Sequence, residues 1–237
     1  PDFQEFLLVP QEKTFRENYT IIKNIYEKIG SIIKSKNKTD EGAWQTALED
    51  EEIFRILSNF DKVRIGTDVA ASSFFKNEKY LHDTNKILDK SAQIYYINYL
   101  IRKYNLFYIE DPLQEKDFSG FKEIAKSNTH LVVGDDLTAT QISRLKKAIK
   151  EKSINAMIIK PNQNGSLLEV AEIFEICKKH NIRTIMSHRS GETLDDALAD
   201  YAFGFQADFI KCGIATKWRE SKLKRLIEIE KSINNKS

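Results

Sequence analysis

The sequence has 237 residues, of which 41% are hydrophobic and 30% are charged, and its formal net charge is +2. This composition is that of a soluble globular protein, and the small net charge gives no case for a nucleic-acid partner or for an acidic membrane surface. No apolar run approaches the roughly 18 residues that a membrane span needs. The two cysteines make no disulfide framework, so we expect a reducing, cytoplasmic setting. The chain shows no signal peptide and begins with Pro1 rather than methionine, which leaves an upstream segment open.

Seven short apolar runs are predicted as strands, and the last six end in polar or charged residues. In chain order the runs are FQEFLLV, KVRIGTD ending at Asp68, LFYIED at Glu110 and Asp111, HLVVGDD at Asp135 and Asp136, NAMIIK at Lys160, RTIMSHR at His188 and Arg189, and ADFIK at Lys211. After Glu110 these endings recur about every 25 residues, a rhythm typical of one strand plus one helix per unit.

Helices are predicted in the intervals between these strands. The candidate segments are NKILDKSAQIYYINYLIRKYN, QISRLKKAIKE with Thr140 as its N-cap, SLLEVAEIFEICKKHN and ESKLKRLIEIEKSI. Their apolar residues recur at the spacing of one helix face. Strands joined by helices lie parallel with right-handed crossovers. The pattern therefore predicts an α/β fold, a (β/α) barrel.

Parallel strands place all their carboxyl ends on one side, which in a (β/α) barrel carries the active site. A single acid in such a position is usually a helix cap or a solvated loop residue, and Asp136 could cap the helix that follows it. Six such endings in succession favour a functional site. Asp68, Glu110 and Asp135 would repel one another unless a cation neutralised them. Oxygen ligands of this kind suit Mg²⁺.

Basic residues follow the later strands. Lys160 is a candidate general base, because neighbouring positive charge and partial desolvation lower the pKa of a lysine. The loop SHRSGE offers Arg189 and Ser190 as a cradle for a phosphate or carboxylate group. The residues alone therefore predict a Mg²⁺-dependent enzyme that acts on a small anion.

Several motifs together resemble the barrel domain of enolase, the phosphopyruvate hydratase family. In family order they are DFQEFLLVP, TDEGA, IGTDVAASSFF, IEDP, GDDLTAT, IIKPNQNGS, MSHRSGET and IKCG, and the tail is similar in register to the archaeal form. The resemblance runs from Asp2 to about Glu230. It implies a single domain over residues 1–237, namely an enolase-type barrel that lacks its first strand and the N-terminal capping domain.

The resemblance also implies an activity and roles for individual residues. The activity is the Mg²⁺-dependent dehydration of 2-phosphoglycerate to phosphoenolpyruvate, a step of glycolysis and gluconeogenesis. The implied roles are Asp68, Glu110 and Asp135 as Mg²⁺ ligands, Lys160 as the base at carbon 2, Lys211 on the substrate carboxylate, Glu41 as the acid that assists loss of the 3-hydroxyl with Glu5 as its partner, and His188, Arg189 and Ser190 as contacts to the substrate and its phosphate. The full-length family protein is expected to be a homo-oligomer.

The sequence departs from the family pattern at Ser73, Pro161, Cys212, Thr39 and Ala43. The last two flank the DEG core that carries Glu41. Seven predicted strands stand where a closed barrel needs eight. The chain is therefore expected to be a fragment or to be completed by a separate N-terminal chain.

Two other interpretations remain open from the sequence. One is an acid dehydratase or racemase of the wider enolase superfamily, against which the SHRSGET and DEG motifs argue. The other is a barrel fragment that is inactive on its own and serves as a subunit or binding partner. An assay of 2-phosphoglycerate dehydration, with and without Mg²⁺, would separate them.

Overall fold

A computed structural model of the chain describes residues 1–127 and 129–235. The chain divides into two compact units. The first comprises Pro1–Val9 and Leu48–Thr184, and the second comprises Pro10–Ala47 and Ile185–Ser237. Each unit is built from two separate parts of the sequence.

The strands of the described chain include all seven that the sequence predicts. They are β1 (Glu5–Pro10), β2 (Val63–Asp68), β3 (Phe75–Lys76), β4 (Lys79–Leu81), β5 (Ile87–Leu88), β6 (Tyr108–Glu110), β7 (Leu131–Gly134), β8 (Ala156–Ile159), β9 (Arg183–Ser187) and β10 (Phe209–Lys211).

Helices occupy most of the intervals between the strands. They are α1 (Phe15–Ile33), α2 (Asp50–Leu57), α3 (Lys90–Tyr104), α4 (Phe118–Ala125), α5 (Ile142–Glu151), α6 (Pro161–Asn164), α7 (Leu167–Lys179), α8 (Ala197–Gly204) and α9 (Lys217–Asn234), together with one 3₁₀ turn at Ala71–Phe74. Among the described residues, no helix has the length and apolar character needed to cross a membrane.

The core of the first unit is a sheet in which β1, β2, β6, β7 and β8 are neighbours in that order. The pairs β2–β6, β6–β7 and β7–β8 are parallel, as predicted. Consecutive residues such as Val132 and Val133, or Ile158 and Ile159, are completely buried. Both faces of these strands are therefore covered, which is typical of a parallel sheet flanked by helices.

Two predicted helix starts in the first unit are wrong. Thr140 is not the N-cap of α5, because the cap position is Gln141 and the Thr140 hydroxyl donates to Gln163 Oε1 at 3.0 Å instead. The helix expected from Asn85 begins only at Lys90. Asp89 caps it by accepting the Ala92 N–H at 2.8 Å.

The residues before α3 form a small antiparallel sheet, which the sequence analysis missed. Its strands are β3, β4 and β5, in that order. Each has only two or three residues. Such segments are too short to show the alternating hydrophobic pattern by which strands are predicted.

The second unit contains α1, α8 and α9, and α9 packs against both other helices. Thr14 and Glu17 form a capping box at the start of α1. Strands β9 and β10 form a parallel pair in which Lys211 lies opposite Ser187. The predicted helix at residues 220–233 is confirmed and is longer at both ends.

Candidate active site

Five acidic residues lie at the carboxyl ends of β2, β6 and β7 in the first unit, either as the last strand residue or within two residues after it. We call this group the acidic cluster; its members are Asp68, Glu110, Asp111, Asp135 and Asp136. Asp68 and Glu110 are direct partners in the β2–β6 register. Asp135 follows the last residue of β7. The predicted metal ligands Asp68, Glu110 and Asp135 are all largely buried. The parallel topology thus brings all three to one edge of the sheet.

Asp111 holds the backbone of the acidic cluster in place. Its Oδ1 accepts the Asp135 N–H at 3.1 Å, and its Oδ2 accepts the Asp136 N–H at 2.6 Å. Asp111 lies in a left-handed backbone conformation, with φ of 40°, which is uncommon outside glycine. Burial, together with the charges of Asp68 and Asp135, raises the pKa of Asp111 well above its usual range. The negative charges of the acidic cluster are therefore only partly compensated by neighbouring protein groups.

Asp135 has one oxygen that the protein satisfies and one that it does not. Oδ2 accepts a hydrogen bond from Lys160 Nζ at 2.5 Å. Oδ1 is buried and has no hydrogen-bond partner among the residues that the structure describes. Asp111, Asp135 and Asp136 each offer a carboxylate oxygen within 4.8 Å of the others. Converging oxygen donors and an unsatisfied buried oxygen fit a hard divalent cation such as Mg²⁺.

Glu110 is positioned by its neighbour on the same face of β6. The Tyr108 hydroxyl donates to Glu110 Oε2 at 2.6 Å, and both side chains are buried. A side chain larger than that of Gly66 on β2 would meet Tyr108, because a Cβ atom there would lie 2.8 Å from the Tyr108 Cβ. Gly66 therefore makes room for the tyrosine that orients the glutamate.

Lys160 directly follows β8 and occupies the N-cap position of α6. Pro161 stands at the first helical position, where its missing N–H is not needed. The Lys160 N–H donates to the Thr140 hydroxyl at 3.0 Å. Backbone and side chain thus direct the ammonium group to Asp135. The proline that departs from the family pattern is compatible with this geometry.

Glu5, the predicted partner of the acid, begins β1 in the first unit. Its carbonyl accepts from the Thr67 hydroxyl on β2 at 2.8 Å. This bond fixes the start of β1 next to the strand that carries Asp68.

The loop that carries Glu41 belongs to the second unit and closes on itself. Lys38 and Trp44 form an antiparallel bridge. The Ala43 N–H donates to the Thr39 hydroxyl at 3.1 Å, so the threonine that departs from the family pattern supplies a hydrogen bond to the turn. Gly42 has φ of 87°, and its carbonyl accepts from the Tyr26 hydroxyl at 2.6 Å. The Glu41 loop is therefore a fixed turn.

Glu41 and His188 are brought together in the second unit. Glu41 Oε2 lies 3.5 Å from His188 Nε2, and its Oε1 lies 3.5 Å from Arg219 Nη2. Arg219 is fully buried, and its Nε donates to His188 Nδ1 at 3.0 Å. An arginine thus links the predicted acid to a predicted substrate contact.

The loop after β9 is held by a second buried cation. Lys222 donates to Glu192 Oε2 at 2.8 Å and to the Thr193 carbonyl at 2.6 Å. Glu192 in turn accepts the Arg189 N–H at 3.0 Å. The carbonyl of Ser190 accepts from Arg219 at 2.9 Å. The backbone that carries Arg189 and Ser190 is therefore fixed from helix α9.

Lys211 is the last residue of β10. Its carbonyl accepts the His188 N–H at 3.1 Å, which joins the ends of β9 and β10. The neighbouring Cys212 is half-buried, and desolvation raises the pKa of its thiol to about 12. Cys177 is completely buried. Their burial agrees with the prediction that both cysteines are small core or near-core residues.

The sequence analysis missed Asp111, Arg219 and Lys222. Asp111 stands at a predicted strand end, and its position beside Glu110 was a usable signal. Arg219 and Lys222 lie in a segment rich in lysine and arginine, where a charged residue is normally solvated. Nothing in the sequence distinguishes them from the exposed cations of α9.

The whole chain, residues 1–237, matches the family model described as the enolase C-terminal TIM barrel domain. The chain belongs to the enolase family. It is 41% identical over 241 residues to an enolase of Archaeoglobus fulgidus, and the match covers 96% of this chain and 60% of that protein. It is 38% identical to an enolase of Picrophilus torridus, covering 97% of this chain and 62% of that protein. An enolase of Sulfurisphaera tokodaii is 39% identical, with 96% and 58% covered.

These matches confirm the predicted barrel class and the resemblance to archaeal enolases. The chain spans about three fifths of the length of these relatives. The roles of its individual residues are not fixed by the matches and rest on their chemistry and their positions.

Proposed function

We propose that this chain carries the catalytic machinery for the dehydration of 2-phosphoglycerate to phosphoenolpyruvate. The observation that supports the proposal most strongly is the contact between Lys160 Nζ and Asp135 Oδ2 at the edge of the acidic cluster. It places a lysine that can act as a base beside carboxylates suited to a divalent cation.

Lys160 is the proposed base. The proton on carbon 2 is weakly acidic, because its removal puts a second negative charge on the adjacent carboxylate. Lys160 Nζ is proposed to accept that proton. The Thr140 hydroxyl and Pro161 fix the lysine backbone, so the amine is directed rather than mobile.

Asp68, Glu110 and Asp135 are proposed to hold Mg²⁺. When bound, Mg²⁺ supplies positive charge that stabilises a substrate dianion without any transfer of a proton. Asp111 fixes the main chain of Asp135 and is proposed to hold the ligands in position rather than to bind the cation itself.

Glu41 is proposed to donate the proton that departs with the 3-hydroxyl, with Glu5 as its partner. His188 contacts Glu41 and Arg219, so its ring orientation is set before substrate binds. Arg189 and Ser190 are proposed to contact the phosphate, and Lys211 the carboxylate. A guanidinium and a hydroxyl group are chemically suited to phosphate recognition.

The proposal is tested by following formation of phosphoenolpyruvate from 2-phosphoglycerate at increasing Mg²⁺ concentration. The complete natural protein is the appropriate sample. Activity that requires Mg²⁺ and the phosphate group of the substrate supports the proposal. Turnover of acid sugars that carry no phosphate would favour a dehydratase or racemase of the wider superfamily.

A second candidate is a barrel domain that needs additional polypeptide for turnover. It is favoured by the length of the relatives, because this chain matches only 58% to 62% of their sequences. A comparison of residues 1–237 with the same chain after addition of the remaining family segment, fused or separate, would distinguish the two candidates.

A further inference from the structure

Arg219 is fully buried in the second unit. Apart from the Thr216 hydroxyl at the start of its own helix, the groups to which it donates belong to loops that carry predicted site residues. It donates to the carbonyls of Arg189 at 3.3 Å and of Ser190 at 2.9 Å. It also reaches the Asp40 carbonyl at 3.4 Å. One side chain therefore joins the Glu41 loop to the loop after β9.

The contact between Arg219 and His188 has a definite chemical consequence. A guanidinium has five N–H donors, has no acceptor and is not deprotonated in proteins. His188 Nδ1, at 3.0 Å from Arg219 Nε, can therefore only accept through its lone pair. An imidazole whose Nδ1 is occupied in this way carries its proton on Nε2.

Nε2 is the atom of His188 that faces Glu41 Oε2, at 3.5 Å. In the Nε2–H tautomer, His188 presents a donor to the Glu41 carboxylate. In the Nδ1–H tautomer, the Nε2 lone pair would face the carboxylate oxygen, so two acceptors would oppose each other. Arg219 also lies 3.5 Å from Glu41 Oε1, so the same guanidinium acts on both partners.

The backbone leaves room for this arrangement at Gly213. A Cβ atom at this position would lie 2.6 Å from Arg219 Cδ and 3.0 Å from the Glu41 carbonyl oxygen. Contacts of this length are well inside van der Waals separation, so any larger residue would displace the arginine or the Glu41 loop.

We infer that Arg219 is a positioning residue that fixes His188 as the neutral Nε2–H tautomer and holds it in register with Glu41. The inference rests on the proposed function only where it assigns His188 and Glu41 to the substrate. The tautomer itself is independent of turnover. Arg219 touches no reacting atom in this scheme and acts through His188.

The direct test is nuclear magnetic resonance of the natural polypeptide with ¹⁵N-labelled histidine and arginine. The chain has four histidines, and the His188 signals are assigned by their loss in His188→Gln. We expect the Nε2–H tautomer and a ¹⁵N–¹⁵N coupling across the hydrogen bond from Arg219 Nε to His188 Nδ1. An Nδ1–H tautomer or a doubly protonated ring in the unsubstituted protein would overturn the inference.

Variants separate positioning from simple loss of a buried charge. Arg219→Met should introduce the second tautomer and lower kcat/KM by about 10-fold to 100-fold, the range expected when a charged hydrogen bond is lost. Lys222→Met is the matched control, because it removes the other buried cation of α9 and leaves Arg219 in contact with His188. The control should keep the tautomer of the unsubstituted protein.

Gly213→Ala serves if Arg219→Met does not fold. It keeps the guanidinium charge and displaces the side chain, so the coupling should weaken or disappear. An unchanged tautomer and coupling in Gly213→Ala, or an unchanged tautomer in Arg219→Met, would contradict the inference. Because the spectrum needs no substrate, failure of the dehydration assay would count against the proposed function alone.

Discussion

Lys160 Nζ donates to Asp135 Oδ2 at 2.5 Å, so the proposed base and a proposed metal ligand are in direct contact. Neither group is fully exposed, with side-chain exposures of 17% for Lys160 and 12% for Asp135. An ammonium and a divalent cation at the same carboxylate repel each other. Cation binding and the charge of Lys160 are therefore coupled.

Asp135→Asn should weaken Mg²⁺ binding about 10-fold or more. The substitution removes a full ligand charge while it keeps the size of the side chain. Titration calorimetry with Mg²⁺ measures the effect. Glu123→Gln is the control, because it removes one carboxylate from the exposed surface of α4, where Glu123 pairs with Lys126. Equal Mg²⁺ affinity in Asp135→Asn and in the unsubstituted protein would show that the ligand assignment is wrong.

Lys160→Met should change Mg²⁺ affinity in the opposite direction. Removal of the ammonium relieves its repulsion of the bound cation and frees Asp135 Oδ2. We expect binding to tighten about 5-fold to 10-fold, since repulsion between partly exposed charges at this range is on the order of 1 kcal/mol. The same calorimetric titration applies. Weaker binding in this variant would mean that Lys160 supports the cation site rather than competing with it.

Tyr108→Phe should also lower Mg²⁺ affinity, although Tyr108 is not a proposed ligand. The variant removes the hydroxyl that donates to Glu110 Oε2 at 2.6 Å. A hydrogen bond to a charged group contributes about 1.5–3 kcal/mol, so a loss of roughly 10-fold is expected through misorientation of Glu110. Tyr96→Phe provides a comparison at a half-buried tyrosine that is not part of the acidic cluster. A Tyr108→Phe protein that binds Mg²⁺ normally would show that Glu110 needs no such support.

The succession of strands and helices could be predicted from the sequence because its signals are local. Val132–Val133 and Ile158–Ile159 lie in short apolar runs, and such runs with helix-length intervals indicate a parallel sheet. The three-stranded antiparallel sheet could not be predicted in the same way. Its longest strand has three residues. The apolar residues of β5 fit the helical spacing of the segment that continues into α3, so the sequence predicts helix there.

The candidate site could be predicted only in part. Four of its residues stand at the ends of predicted strands, and the strand topology alone brings them to one edge, namely Asp68, Glu110, Asp135 and Lys160. The roles of Asp111 and Arg219 depend on tertiary contacts that no local pattern encodes. Arg219 reaches back 31 residues along the chain to His188. A buried cation on a lysine-rich helix is indistinguishable from a solvated one until the helix has packed.

His130 should make the stability of the protein sensitive to acid. It is buried, and its Nε2–H donates to the Ile124 carbonyl at 3.2 Å. Burial lowers the pKa of His130 from its ordinary value of 6.5, although the hydrogen bond partly opposes this effect. The unfolded chain therefore takes up a proton before the folded protein does. The contribution of neutral, buried His130 to the free energy of unfolding is complete above about pH 6.5 and is lost as the pH falls below that value.

His130→Gln should flatten this dependence, because glutamine keeps an N–H donor and does not ionise. Urea unfolding at several values between about pH 5 and pH 8 measures the free energy of unfolding. At the upper end of that range the variant should lose about 1 kcal/mol through imperfect packing. The control His180→Gln changes an exposed histidine and should keep the slope of the unsubstituted protein. An equally steep acid slope in His130→Gln would assign the dependence to other groups.

Lys160 and Glu41 should be separable as base and acid by isotope exchange in the natural polypeptide. In the proposed reaction, removal of the proton from carbon 2 precedes loss of the 3-hydroxyl, and only the second step needs the acid. Lys160→Ala should therefore abolish exchange of that proton with solvent deuterium. Glu41→Gln should spare the exchange and block formation of phosphoenolpyruvate, because the amide has nearly the same shape but cannot donate the required proton.

Mass spectrometry of recovered 2-phosphoglycerate measures the exchange of the carbon-2 proton, and product absorbance measures formation of phosphoenolpyruvate. His188 and Arg219 remain in place in both variants, so substrate binding should be retained. Exchange that survives in Lys160→Ala and disappears in Glu41→Gln would reverse the two roles.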